Sequence, residues 1–256
     1  MPDTDHIDHH IRARQGWRRS PGWRRGYRPP EDIATVHRDQ AFWPPLTGAA
    51  LARAPERLYT AGDAALLRAP MRVAIAGARR ASDQGCGRSA RLARALASAG
   101  AVIVSGLARG IDAAAHLGAI EAGGATMAVL GVPLGRCYPP EHAWLQEQIY
   151  RGHLLVSQFA DGARTHAWCF PARNRTMAML ARAAVIVEAG ETSGSLTLAA
   201  ETRRLGRPLF LARSLVENPS LTWPRAFLAR GALTLDDLDD LDTAARHVLD
   251  LAGRAG

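Results

Sequence analysis

From Met71 onward the chain repeats one pattern: a short apolar run rich in Val, Ile and Leu, a turn marked by glycine, and an alanine-rich stretch with helical spacing. The runs are residues 72–76, 102–104, 126–130, 154–156, 184–188 and 208–212. The stretches between them predict helices over 88–98, 112–122, 141–150, 173–180 and 195–205. Strands that are apolar throughout must be buried on both sides, and alternation with helices makes them parallel. The expected fold is α/β, a Rossmann-like doubly wound, mostly parallel sheet with helices on both faces. Such sheets bind ligands beyond the carboxyl ends of their strands, so the loops after each run are where chemistry is to be sought. Residues 232–241 predict a short strand or turn leading into an acidic helix start, with Asp236, Asp237, Asp239, Asp240 and Asp242.

The N-terminal part reads differently. Residues 1–30 hold seven arginines and three aspartates and show no apolar periodicity. Within them Trp17, Trp23 and Tyr27 interleave with Arg18, Arg19, Arg24, Arg25 and Arg28. That mixture suits bases stacked on rings and neutralised phosphates, and equally suits a solvated arm with no task of its own. His6, His9 and His10 receive no role. The organisation expected is a basic arm over 1–45, one domain over 46–242, and a C-terminal tail over 243–256 whose last residues fray.

Composition narrows the partner. The 256 residues are 47% hydrophobic and 22% charged, which excludes disorder along the whole length. No window approaches the roughly 20 apolar residues of a membrane span and no signal-peptide core opens the chain, so a cytoplasmic protein without a membrane partner is expected. Three scattered cysteines, Cys86, Cys137 and Cys169, make neither a disulfide framework nor a zinc motif, and no metal site is expected. All 32 basic residues are arginine, giving a formal charge of +8 and a pI near 10.5. A phosphate-rich partner follows from that charge, although a chain without lysine also fits a bias in genome composition.

The strand-end loops supply the candidate site. After the first run, Gly77 lets an anion approach the backbone and Arg79 and Arg80 can neutralise it. The glycine spacing is not G-x-G-x-x-G and no acid ends the second run, which argues against a dinucleotide cofactor; no cofactor is expected. Ser105, Gly106, Arg109 and Gly110 form a short loop that opens a helix and favours an anion site, with Asp112 capping that helix or serving the loop. Arg136 and Tyr138 precede a double proline that stiffens their loop. Trp168 and Phe170 stand before Arg173, Asn174 and Arg175, and arginines at a helix start call for a nearby anion. Ser193, Gly194 and Ser195 make a small-residue turn with free donors, and Glu188 and Glu191 are placed to orient arginines.

These loops resemble the DNA-processing protein A family, DprA or Smf. The resemblance rests on Leu58 to Asp63, Val73 to Arg79, Ser105 to Asp112, Tyr138 to Glu141, Phe170 to Arg175 and Ser193 to Leu196, and covers roughly residues 58–241. It implies a single-stranded DNA-binding protein that self-associates, as a homodimer, and assists loading of a RecA-type recombinase during DNA uptake and recombination in natural transformation. It binds rather than cleaves, without catalytic residues. The cleft residues it implies are Gly77, Arg79, Ser105, Gly106, Arg109, Gly110, Arg136, Arg173, Asn174 and Arg175. Ala78 and Cys169 depart from the hydroxyl and amide residues usual at those places. The helical N-terminal domain of the family is replaced by the arginine-rich arm, and no room is seen for a C-terminal winged helix, so a short or divergent member is expected.

The rival reading is enzymatic, a nucleoside-monophosphate phosphoribohydrolase of the LOG type, with a nucleotide-sensing domain as a third. Aligning Gly194-Ser195 with the Gly-Thr of the hydrolase turn puts Leu198 where its catalytic carboxylate should stand, and Glu201 falls three positions on. Hydrolysis then lacks its carboxylate, and the binding reading is preferred.

Overall fold

The computed structural model of the chain describes residues 26–40, 43, 46, 48–235 and 241–254. His6, His9, His10, Trp17 and Trp23 of the expected arm, and Asp236 to Asp240, lie outside the described residues.

The strands are β1 (Ala34–His37), β2 (Arg57–Gly62), β3 (Arg72–Ala76), β4 (Val102–Ser105), β5 (Thr126–Leu130), β6 (Leu154–Ser157), β7 (Ala183–Ile186), β8 (Leu209–Ala212) and β9 (Leu233–Leu235). The helices are α1 (Gly48–Arg53), α2 (Asp83–Ser98), α3 (Ile111–Glu121), α4 (Ala143–Gly152), α5 (Cys169–Leu180), α6 (Ser195–Arg204), α7 (Arg213–Val216), α8 (Trp223–Leu228) and α9 (Leu241–Arg254). All form one sheet in the order β1-β2-β6-β5-β4-β3-β7-β8-β9. The strands from β3 to β9 run parallel, and β1 and β2 add an antiparallel edge. The α/β, doubly wound architecture expected from the apolar runs is the one found.

Every residue of β3, β4, β5, β6, β7 and β8 is buried, which is why these runs show no polar alternation. The chain moves from β3 toward β6 on one side, then crosses back to lay β7 on the other side of β3. Right-handed crossovers therefore put α2, α3 and α4 on one face and α5 and α6 on the opposite one. The order of strands reverses at β3 and β7, so their carboxyl ends flank the crevice where such sheets hold ligands.

Several boundaries differ from expectation for local reasons. The α2 helix starts at Asp83, five residues early, because Ser82 caps it by accepting from Gly85 N at 2.9 Å. That cap outweighs two glycines in the first turns. The α5 helix starts at Cys169 rather than 173, so Arg173 and Arg175 stand inside it and the helix-dipole argument for an anion there does not hold. The C-terminal carbonyls of α5 are satisfied from outside, Arg207 Nη1 donating to Met179 O at 2.6 Å.

The domain limits expected at residues 45 and 242 are also corrected. β1 pairs antiparallel with β2, Val36 opposite Leu58, so the folded body includes residues assigned to the arm. Residues 243–254, expected as a fraying tail, belong to α9. Ala244, Ala245, Val248 and Ala252 share one face at helical spacing and are buried in the main core against α2 and β7, with His247 edge-on to Phe210 at 5.4 Å. No described helix is long and apolar enough to cross a membrane.

Candidate functional site

The loop after β3 is pinned from two sides. Ala78 N donates to Glu188 O at 2.6 Å and Ile111 N donates to Ala78 O at 3.3 Å. A Cβ on Gly77 would lie 2.6 Å from both Glu188 O and Ile111 Cγ1, so this glycine admits neighbouring backbone rather than an outside anion, a correction to its expected role. Glu188 accepts from Ser82 N at 2.9 Å and Ser82 Oγ at 2.6 Å, which ties the start of α2 to the end of β7. It steadies the loop through Ser82 and orients no arginine directly. Arg79 and Arg80 emerge from this braced turn, exposed.

The loop after β4 is built around a buried ion pair. Arg173 reaches across from α5 and sets Nη1 3.4 Å from Asp112 Oδ2, the guanidinium being only 4% exposed as a residue. Burial pushes the Asp112 carboxyl up and the Arg173 guanidinium down from their usual ranges, and each partner opposes the shift in the other. Gly106 makes room for this arrangement: a Cβ there would fall 0.9 Å from Arg173 Nη1. Ser105 is fully buried and donates to Ile75 O at 2.6 Å. Arg173, Ser105 and Gly106 therefore shape the loop from beneath and do not face a ligand, contrary to the sequence-based expectation. Leu107 holds φ 56°, a left-handed conformation costing about 1–3 kcal/mol in a non-glycine residue. His142 Nδ1 secures it by donating to Leu107 O at 2.8 Å. Gly110, at φ 72°, turns the chain into α3 where a Cβ would strike Ala78 O at 2.4 Å. Arg109 is exposed at the rim, paired with Glu141, whose carboxyl that bond holds below its ordinary range.

Beyond β5 and β6 the rim is aromatic. Tyr138, 48% exposed, lies 5.3 Å from the Phe170 ring, and the Arg79 guanidinium sits 5.0 Å over the same ring. Trp168, 57% exposed, stacks near-parallel on His166 and meets Phe159 edge-on. A groove of about 360 Å³ runs between them, lined by Val132, Arg136, Cys137, Tyr138, Thr165, His166, Ala167 and Phe170. Burial pushes the Cys137 thiol up to about 12, so this lining cysteine stays protonated and uncharged. Arg79, Arg80, Arg136 and Arg175 are exposed with no ion-pair partner among the described residues.

The turn before α6 is internally bonded. Asn174 Nδ2 donates to Gly194 O at 2.7 Å, and Ser193 Oγ lies 2.8 Å from Ser195 Oγ, with Asn174 and Ser195 buried. The amide thus ties α5 to the turn before α6, and the two hydroxyls bond to each other within that turn; Gly194 is exposed. Leu198 is buried in the core, and the carboxylate of Glu201 is taken by Arg204, whose Nε donates at 2.8 Å. Among the described residues no group of three or more His, Cys, Asp or Glu is placed to hold a metal.

The structure brings Arg79, Arg80, Arg109, Arg136, Tyr138 and Phe170 to one rim. It withdraws Ser105, Gly106, Arg173, Asn174 and Ser195 into support beneath that rim. Sequence reasoning missed the brace of Ser82 and Glu188, although a serine followed at once by the acidic Asp83 is a readable helix-start signal. It also gave His166 no part beside Trp168, because stacking between loop residues has no periodicity to read.

A family model described as DNA recombination-mediator protein A matches residues 34–245. The chain is 40% identical over 157 residues to DNA processing protein DprA of Streptococcus pneumoniae, covering 61% of this chain and 55% of that protein. It is 34% identical over 226 residues to a putative DNA processing protein DprA of Mycobacterium tuberculosis, covering 84% and 58%. The chain thus spans a little over half the length of these curated relatives. Among solved structures, DprA from Streptococcus pneumoniae superposes with TM-score 0.72 at 31% identity over 82% of this chain and 74% of that one. DprA from Helicobacter pylori, whose structure describes a single-stranded DNA binding mode, superposes with TM-score 0.72 at 27% identity over 84% and 97%.

Proposed function

The chain belongs to the DNA recombination-mediator protein A family, and from that premise we propose that it binds single-stranded DNA along the rim formed by the loops after β3, β4, β5 and β6. The carrying observation is the Tyr138–Phe170 face with Arg79 over it and Arg136 beside it. The exposed Tyr138 ring, backed by the partly buried Phe170, accepts base faces of any sequence, and flanking guanidinium groups accept phosphates in pairs. A duplex hides its base faces, so this combination favours a single strand. Buried Leu198 and the occupied Glu201 supply no carboxylate at the rim, which supports binding without hydrolysis. Self-association as a homodimer, delivery of the strand to a RecA-type recombinase, a role in transformation and action in the cytoplasm extend this reading by family likeness.

The test is fluorescence anisotropy with labelled oligonucleotides across a salt series. Log affinity falls against log salt with a slope of about 0.7 per phosphate engaged, and R79A with R136A reduces that slope by about 1.4. An unchanged slope refutes the rim. Mononucleotides that compete as well as oligonucleotides, or free base released from a nucleoside monophosphate, would favour the sensing domain or the hydrolase instead.

A further inference from the structure

The loop after β5 carries Arg136 and Tyr138 to the rim, and its residues 131–139 are neither helix nor strand. What fixes it is a set of bonds from outside. Ser157 Oγ donates to Val132 O at 2.8 Å, tying the start of the loop to the end of β6. Gln146 of α4, wholly buried, donates from Nε2 to Arg136 O at 2.9 Å. Between these two anchors Tyr27 Oη donates to Leu134 O at 2.8 Å, and the same hydroxyl meets the Gln146 side chain. Tyr27 is one of the three rings expected to offer faces to bases; the structure instead half-buries it against the domain, and that burial pushes its phenol above the usual range.

The backbone beside Tyr27 is seated on α4. Arg28 N donates to Glu147 Oε1 at 3.0 Å, Tyr150 Oη donates to Arg28 O at 3.2 Å, and the Arg28 guanidinium lies 3.4 Å from Glu147 Oε2. Pro29 and Pro30 follow and stiffen the way out. These contacts leave the Tyr27 hydroxyl little freedom to miss Leu134. Cys137 stands beside Tyr27 on one side and lines the groove on the other, with Sγ donating to Pro139 O at 3.3 Å. We propose that Tyr27 is a positioning residue of the strand site: docked on α4, it clamps the loop after β5 so that Arg136 and Tyr138 are presented at the rim. The basic and aromatic wall of the groove is then complete only while this segment is docked. This inference rests on the single-strand reading of the rim.

The test uses the full chain and Y27F, which removes the hydroxyl and keeps the ring. Alkylation of Cys137 by iodoacetamide, located by peptide mass spectrometry, reads the clamp without DNA and is expected to be about fivefold faster in Y27F, because one hydrogen bond fewer resists local opening. Anisotropy with an oligothymidylate reads the site: Y27F is expected to weaken binding about fivefold in the parent and in R79A, and not at all in R136A/Y138A, where the loop has nothing left to present. Unchanged alkylation and affinity overturn the clamp. Faster alkylation with undiminished affinity overturns the positioning role, since the strand then does not use what the clamp holds. An equal loss in the R136A/Y138A chain also overturns it, because the hydroxyl would be acting elsewhere than through this loop. Should R136A/Y138A bind as tightly as the parent, the rim reading itself has failed and the positioning role falls with it, whereas the alkylation rate still shows whether the clamp exists.

Discussion

Replacing Asp112 by asparagine tests whether the loop after β4 is held from beneath by an ion pair or serves as an anion site on its own. Asparagine keeps an acceptor for the N–H groups of Ala108 and Gly77, which approach the native carboxylate, and removes only the charge. At 3.4 Å and an effective dielectric of about 20, the attraction lost is about 5 kcal/mol. Stranding a buried guanidinium typically costs about 3–5 kcal/mol, and Arg173 Nε already lacks a hydrogen-bond partner. D112N is therefore expected to lower stability by about 4 kcal/mol, or Tm by roughly 10 °C for a chain of this size. The double variant D112N/R173M replaces the guanidinium with an apolar side chain and should recover most of the loss, because the uncompensated charge is gone. Urea unfolding followed by tryptophan fluorescence measures all three chains. A D112N chain within about 1 kcal/mol of the parent, or a double variant no better than D112N, refutes the pair as the support of the loop. DNA binding gives an independent check at a temperature where R173M is folded: its salt slope should match that of the parent. A slope lower by about 0.7 would mean that Arg173 touches phosphate after all.

Three further outcomes follow from the same geometry. G106A must displace the Arg173 guanidinium from Asp112, so it should cost about 3 kcal/mol or more in the same unfolding assay; a neutral effect means the guanidinium has another berth. His116 Nδ1 faces Thr126 Oγ1 at 2.7 Å, and since that hydroxyl donates to Ile103 O, the imidazole donates from Nδ1 and leaves Nε2 unpartnered in the core. Burial pushes the His116 pKa down to about 3 from 6.5, so the unfolded chain binds the extra proton and stability is lost as pH falls through 6.5. Between about pH 7.5 and pH 5 this amounts to about 2 kcal/mol, and H116Q should lose that much less over the interval than the parent does; equal losses refute it. Y138A and F170A should each weaken single-strand affinity by about 1–3 kcal/mol in the anisotropy assay with little change of salt slope, and a loss confined to the slope would assign the rings a role other than stacking.

The order of apolar runs and helical stretches was enough to place all six buried parallel strands and the helices between them, because full burial on both faces leaves a continuous apolar signature. The exposed half of the site was legible in the same way: Arg79, Arg109, Arg136 and Tyr138 follow strand ends, where side chains must project beyond the sheet. The arginine-rich beginning was legible as chemistry, but the seating of Tyr27 against the domain was not, since its hydroxyl donates to Leu134 O across 107 residues of sequence. The α9 helix was mistaken for a tail although its apolar positions recur at helical spacing, because what holds it in the body is contact with α2 and β7, far off in sequence.

What the chain's own order determined is therefore the architecture and the class of the site, since both depend on local periodicity and on which loops end strands. Which arginine faces solvent and which lies beneath the loop was decided only in three dimensions. Arg173 and Arg175 are two residues apart on α5, yet the helical rotation of about 200° between them turns one into the core toward Asp112 and the other out to solvent. The partner that makes the inward placement tolerable stands 61 residues away in sequence, and only the fold of the sheet, which carries the start of α3 and the first turns of α5 to the same strand ends beside Gly106, brings the two charges together.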